Sequence, residues 1–351
     1  MRVAGEKPCP QLRHLAADRP RMLDSMSDEN RSEANRERAD VPWELPNNSM
    51  QRTALRAAAD AEALAPMNVN DTLHLLTTIV VASSTSGQSQ GTGFFYQRLE
   101  PKTTDGPQWR QIADTWLITN RHVVLSRPDG SEAIPDSLSF HMRRIEANGL
   151  RWEAVLLDRK AVGERTKFHA DREVDIAAIN VHDLLIDKIK SESSKYAQWC
   201  AVHSKQFAGH NNIEIEASDD ILVIGYPRGF YDEVNLFPIV KSGIIASRWG
   251  AHFGGKPYFL IDAKLFPGSS GSIVISKPTN LVVKDGQILH AKEKQFSFLG
   301  VFSGEPYRRE RPVELDDMVI IQKSGYNVGV VWYAHPIEET VNDGVQTPSA
   351  K

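Results

Sequence analysis

Three short segments of this 351-residue chain carry side chains able to do covalent chemistry together. The sharpest is Pro267-Gly268-Ser269-Ser270-Gly271-Ser272, set between the strand-like runs LIDAKLF and SIVIS. A nucleophilic serine needs a tight turn that exposes its hydroxyl and aims nearby backbone N–H groups at one point, where the oxyanion of a tetrahedral intermediate forms. Flanking glycines permit such a turn, although these six residues alone fit an ordinary Ser/Gly loop equally well. The second segment is Trp116-Leu117-Ile118-Thr119-Asn120-Arg121-His122-Val123-Val124, with a histidine where a strand stops. A general base needs a pKa near neutrality and a fixed orientation, and an imidazole held at a strand end meets both needs. One histidine among 11 proves little by itself. The third is Glu173-Val174-Asp175-Ile176-Ala177-Ala178-Ile179-Asn180, where a carboxylate opens an apolar strand. An Asp there weakens the strand and leaves a charge that must be satisfied, which a histidine N–H would do. Taken alone, Asp175 reads as a turn-capping residue, and Asp171 is the alternative partner for a histidine.

Holding a serine, a histidine and an aspartate from such distant segments in one place demands a strand scaffold. From Thr72 onward the chain breaks into short β-branched or apolar runs separated by Gly, Pro, Asn and Asp, among them TTIVVAS, GTGFFY, DILVIGYP, VKSGIIAS, FLGVFSG and NVGVVWYA. So many short strands predict an all-β barrel or sandwich, and no long internal repeat is visible. The polar stretch from Lys188 to Ser218, which holds Trp199 and Cys200, separates two clusters of strands and reads as a linker, an inserted loop with a short helix, or both. Residues 1–46 are dense in charge with almost no aromatics, so a disordered charged tail is expected there. A short helical lead-in is expected over 47–71, from the Ala-rich run Ser49 to Leu64, and a closing helix over 336–342.

Composition bounds the class. An apolar share of 41% is enough for a sizeable core, and a formal net charge of -4 gives no basic field for nucleic acid. Two cysteines, Cys9 and Cys200, do not make the disulfide framework of a secreted enzyme, and no secretory signal is read at the N-terminus, so a reducing, cytoplasmic location is expected. The apolar run Leu75 to Ala82 is too short to span a bilayer, so no membrane partner is expected. No CxxC pair, HExxH or carboxylate cluster has ligand spacing, and GxGxxG and GxxxxGK[ST] are missing, so neither metal nor cofactor is expected. Cys200 with His203 is a weaker nucleophile pair, because it lies in a polar segment without a glycine turn.

The three segments run in the order His, Asp, Ser, the order found in chymotrypsin and not in subtilisin or the α/β-hydrolases. The chain resembles the trypsin-like serine peptidases, and among them the bacterial HtrA/Deg-like branch, from about Thr72 to Val341. The resemblance rests on GTGFFY followed by LITNRHVV, on VDIAAINV, on ILVIGYPRG followed by VKSGIIAS, on LIDAKLFPGSSGS, and on VGVVWYAHPIEETV. It implies two six-stranded antiparallel β-barrels with the active site between them. The protease domain would span 72–345, with barrel 1 about 72–182, an inter-barrel segment about 183–218 and barrel 2 about 219–335. It implies His122 as general base, Asp175 as its orienting carboxylate and Ser270 as nucleophile of a serine endopeptidase. The backbone N–H groups of Gly268 and Ser270 would form the oxyanion hole. Phe302, Ser303 and Gly304 would lie on the strand that pairs with an extended protein or peptide substrate.

Departures from the family pattern carry expectations too. Ser269 stands where chymotrypsin-type zymogens have an activating Asp, and no Ile-Val-Gly-Gly start is present, so activation by that salt bridge is not expected. Only a short polar run follows the closing helix, so no PDZ module is expected. The stretches Arg98 to Asp114 and Lys188 to Ser218 exceed the family core and are candidates for binding a regulatory protein partner. Lys264 occupies the position that in trypsin carries the acidic floor of the specificity pocket, which removes the attraction for Arg and Lys. An acidic preference follows if its ammonium enters the pocket, and a small or medium apolar preference if it snorkels to solvent. The competing reading is a non-catalytic binding or scaffold protein on the same barrels.

Overall fold

Apolar runs such as Phe94-Phe95-Tyr96 look too uniformly hydrophobic for a half-exposed strand, and the structure shows why they are strands. In the computed structural model, Phe94 and Tyr96 enter one buried cluster while Phe95 enters another. Trp116 and Ile118 flank Leu117 in the same way, and Ile273 and Ile275 flank Val274, which faces a third cluster. Side chains alternate between the two faces of a strand, so a strand covered on both faces needs apolar residues at every position. Described are residues 69–346 apart from 86, 101–111, 126–131, 147–148, 186–199, 228–229, 285, 310–312, 316–317 and 321–322. The tail expected over 1–46 and the helix expected over Ser49 to Leu64 lie outside these residues.

Helix α1 (Val69–Leu75) leads into β1 (Thr77–Ser84), β2 (Gly87–Leu99) and β3 (Ile112–Thr119), after which the four-residue helix α2 (Arg121–Val124) carries His122. Next come β4 (Ser137–Glu146), β5 (Gly149–Asp158), helix α3 (Arg159–Arg165), β6 (Thr166–Phe168) and β7 (Ala177–Asn180). These strands form one seven-stranded antiparallel sheet in the order β5-β4-β1-β2-β3-β7-β6. The sequence led to a closed six-stranded barrel here. Instead α3 joins the two edge strands directly: Asp158 at the end of β5 caps it by accepting Ala161 N–H at 2.8 Å, and Thr166 opens β6. Strands β5 and β6 remain the two edges of this sheet and do not pair with each other, so the first half is a half-closed barrel.

The second half closes fully. Strands β8 (Asp220–Gly225), β9 (Ile239–Ile245), β10 (Tyr258–Asp262), β11 (Ile273–Ser276), β14 (Phe298–Gly304) and β19 (Gly329–Tyr333) form a barrel in the order β10-β19-β14-β11-β8-β9. Hairpin β12 (Thr279–Lys284) and β13 (Gln287–Gln295) projects after β11. Strands β15 (Tyr307–Arg309) and β18 (Lys323–Gly325), and β16 (Val313–Leu315) and β17 (Met318–Ile320), make two small ladders between β14 and β19. Helix α4 (His335–Asp343) carries Pro336 in its first turn and packs Ile337 and Val341 into the cluster shared by the sheet and the barrel. The described part of the inter-barrel segment runs along both halves: Val202 exchanges backbone bonds with β2, and Phe207 bridges to Phe298 in β14. The fold is thus the double-barrel plan, and the cluster that includes Phe94, Ile118, Ile273 and Phe298 lies between the halves.

Candidate active site

The nucleophile turn is built from below by Thr92, which stands between Gly91 and Gly93 on β2. Its N–H donates to the Ser270 carbonyl at 2.8 Å, and its hydroxyl donates to the Gly268 carbonyl at 3.3 Å while accepting the Tyr226 N–H at 2.9 Å. Its own carbonyl accepts the Thr119 hydroxyl at 2.7 Å. From the other side Gly271 N–H donates to Phe302 O at 2.8 Å, and Phe302 N–H donates to Ser272 O at 2.9 Å. Gly268 and Gly271 have φ of 90° and 84°, a region side chains enter only with strain. A Cβ on Gly271 would sit 2.0 Å from the Thr92 carbonyl oxygen. Both glycines flanking the serine pair are therefore required by geometry. Among the described residues, the N–H groups of Gly268 and Ser270 donate to no protein acceptor, as the donors of an oxyanion hole must.

His122 sits on α2 directly after β3, and Asp175 precedes β7, the neighbour of β3 in the sheet. That pairing brings them together. His122 Nδ1 donates to Asp175 Oδ2 at 2.6 Å, and the His122 backbone N–H donates to Oδ1 at 3.0 Å. Asn120 Nδ2 donates to the Asp175 carbonyl at 2.8 Å, tying the two segments a third time. Asp175 is 19% exposed and His122 40%, so the carboxylate is largely covered while the imidazole remains open to a substrate. Asp171, the alternative partner, is spent on its own turn: its Oδ1 accepts Glu173 N–H at 2.9 Å and its N–H donates to His169 Nδ1.

Ser303 joins the group from β14, its hydroxyl donating to Asp175 Oδ2 at 2.5 Å. Its carbonyl accepts the Ser270 hydroxyl at 2.8 Å. In this geometry the Ser270 hydroxyl bonds to the Ser303 carbonyl and not to His122. The sequence pointed to Ser303 only for its backbone. Nothing local marks its hydroxyl as a carboxylate partner, whereas the Thr between two glycines at Gly91-Thr92-Gly93 was a visible sign of a close backbone approach. Phe302 differs from expectation, since both its backbone groups are committed to the nucleophile turn and its ring is buried in the barrel. Gly304 pairs with Val330 across a bulge.

Lys264 is exposed, with no ion pair or hydrogen bond among the described residues. A cleft of about 890 Å³ opens instead beside Pro267, lined by Pro227, Phe230, Ile239, Phe266 and Lys241, and Lys264 is not part of its wall. Lys241 Nζ lies 4.7 Å over the Phe266 ring there. Cys200 is buried in the core between the halves, and burial pushes its thiol pKa up to about 12. That environment suits an inert structural thiol. No His/Cys/Asp/Glu group among the described residues is arranged to hold a metal ion, and no described helix is long and apolar enough to cross a membrane.

Two antiparallel β units with a glycine-flanked serine turn and a His–Asp pair define the class of chymotrypsin-fold peptidase domains. The trypsin-like peptidase domain model matches residues 91–283, and the chain belongs to that family. No curated protein matches. Among solved structures, the HtrA-type protease AlgW with a tripeptide is 16% identical with a TM-score of 0.39, covering 77% of this chain and 60% of that one. The serine endoprotease from Yersinia pestis is 14% identical with a TM-score of 0.38, covering 80% and 70%. The Rv3671c protease from M. tuberculosis in its active form is 14% identical with a TM-score of 0.36, covering 89% and 92%. The chain spans about 60% of the length of the AlgW chain it matches.

Proposed function

We propose that this protein is a serine endopeptidase that cleaves protein or peptide substrates through Ser270, His122 and Asp175 by way of an acyl-enzyme. The observation that carries the reading is the 2.6 Å bond from His122 Nδ1 to Asp175, on an imidazole left open beside a strained serine turn with two unclaimed N–H groups. With Nδ1–H held by the carboxylate, Nε2 carries the free lone pair and acts as general base. An extended substrate that pairs with the Ser303 carbonyl competes with the Ser270 hydroxyl for that acceptor and releases it toward Nε2. Ser270 Oγ then adds to the scissile carbonyl carbon as its proton passes to His122, and the oxyanion falls between the N–H groups of Gly268 and Ser270. His122 returns the proton to the departing amine, and water repeats the sequence on the ester. Asp175 stays ionised throughout and stabilises the imidazolium.

A fluorophosphonate probe tests the reading directly. Covalent labelling of wild type at Ser270, lost in Ser270→Ala and His122→Ala with unchanged melting temperatures, is the expected result. Failure of wild type to label anywhere across about pH 5 to 8, with and without peptide substrate, would leave a binding or scaffold protein as the reading.

A further inference from the structure

Arg121, the residue immediately before His122, is only 2% exposed, which is unusual for a guanidinium. Its Nε donates to both Glu132 carboxylate oxygens at 3.1 Å and its Nη2 to Oε2 at 2.7 Å. The guanidinium carbon lies 5.1 Å over the ring of Phe168. Its Nη1 is buried without a hydrogen-bond partner among the described residues. Burying an ion pair, and leaving one donor unsatisfied, is a poor way to gain stability, since apolar residues of similar volume commonly do as well or better.

The location of the pair points to a different role. Helix α2 has no side-chain cap of its own; its N-cap residue Asn120 reaches across to the Asp175 carbonyl instead. Phe168 ends β6 directly before the loop that carries Asp175, and Arg172 of that loop brings Nη2 to 3.9 Å from Glu132 Oε2. Glu132 therefore faces a cation from the segment of His122 and a second from the segment of Asp175, and Arg121 touches the strand that feeds the latter.

We propose that the buried Arg121–Glu132 pair is a positioning device that sets the helical turn of His122 against the loop of Asp175, and that Arg121 and Glu132 are positioning residues for the peptidase reaction. The inference deepens the peptidase reading and rests on it for its kinetic readout. The contacts of Arg121 run to Glu132 and Phe168 and not to the serine turn, so its effect passes through the geometry of the His122–Asp175 hydrogen bond.

The test replaces both partners by apolar residues of similar bulk, R121M/E132L, beside the single variants Glu132→Gln and Arg121→Lys. The double variant removes the burial penalty along with the pair, so a purely structural role predicts normal melting and normal turnover together. Positioning predicts a melting temperature near wild type, KM within about twofold, and kcat lower by roughly 10- to 100-fold, the loss that follows a displacement of about 1 Å in a catalytic group. Arg121→Lys, which keeps the charge without the planar fork, should fall between wild type and double variant. The low-field NMR resonance of the His122 Nδ1 proton supplies a readout independent of turnover, and it should broaden or shift in R121M/E132L and in Glu132→Gln. Folded variants with wild-type kcat, or an unmoved Nδ1 resonance, overturn the proposal. If the double variant does not fold, Glu132→Gln decides by the same two measurements. Should wild type fail to react with a fluorophosphonate, the peptidase reading falls while the Nδ1 resonance still judges the role of Arg121.

Discussion

Removing the Ser303 hydroxyl by Ser303→Ala isolates a contact that no local pattern foretold. Asp175 receives three donors, the His122 N–H at 3.0 Å, His122 Nδ1–H at 2.6 Å and the Ser303 hydroxyl at 2.5 Å. The substitution deletes the third while leaving the Ser303 carbonyl, which accepts from Ser270, in place. A hydrogen bond to a charged group contributes about 1.5–3 kcal/mol when nothing replaces it. Asp175 is 19% exposed, so a water can take part of the vacated place and the lower half of that range applies. With each 1.36 kcal/mol worth about tenfold in rate, about 1.5–2.25 kcal/mol becomes a fall of roughly 10- to 45-fold in kcat/KM. The assay is hydrolysis of a fluorogenic peptide together with the rate of fluorophosphonate labelling, with Ser303→Thr as the control that keeps a hydroxyl. Labelling within about twofold of wild type would show that the carboxylate does not depend on this donor, and a loss beyond about a thousandfold would place the damage in the strand backbone instead.

Asp175→Asn should lower kcat far more, by as much as about 10⁴-fold, because an amide favours the wrong imidazole tautomer. Asp171→Asn should leave kcat near wild type, and the reverse ranking in peptide hydrolysis would reassign the carboxylate. Gly271→Ala places a Cβ 2.0 Å from the Thr92 carbonyl and 2.6 Å from the Thr119 hydroxyl at φ 84°. The left-handed backbone alone costs about 1–2 kcal/mol, so urea unfolding should show a loss of about 3 kcal/mol or more, and an unchanged midpoint would contradict the turn geometry. In a Cys9→Ala background the Cys200 thiol should resist a disulfide reagent at pH 7 and react once denatured, because burial holds its pKa near 12 and the thiolate is scarce below that pH. Rapid native-state reaction would show that the core between the halves opens. Lys264→Ala should barely alter the ranking of peptides carrying Asp, Glu, Val, Ala, Leu or Arg before the scissile bond, since the lysine is exposed and outside the cleft wall. A lost preference for Asp or Glu would place its ammonium in the pocket.

The catalytic candidates were legible because their chemistry is local. A serine between glycines, a histidine where a strand ends and an aspartate opening an apolar strand each satisfy a constraint of their own few residues, and their chain order discriminates among known arrangements. Strand identity was legible for the same reason, since β-branched runs bounded by turn residues need no distant partner to be recognised. That both faces of these strands are buried, with Phe94 and Phe95 in different clusters, came from the structure.

What tertiary structure alone decided lies in contacts between segments far apart in the chain. The Ser303 hydroxyl reaches Asp175 across 128 residues, and whether it does so depends on the register of β14 against the barrel, which no short pattern encodes. The first sheet stays open because β5 and β6, joined by helix α3, are its edges and do not pair with each other, a matter of strand order that no local run encodes. The burial of Arg121 runs against the ordinary preference of its side chain for solvent, and Lys264, for which the sequence left both a pocket-facing and a solvent-facing direction open, is exposed. In both, direction is set by packing of the surrounding loops. Sequence determines which residue types can react and which runs can pair, because those are properties of neighbouring bonds; which side chains meet is settled by long-range packing, where small shifts in register redirect every side chain of a strand.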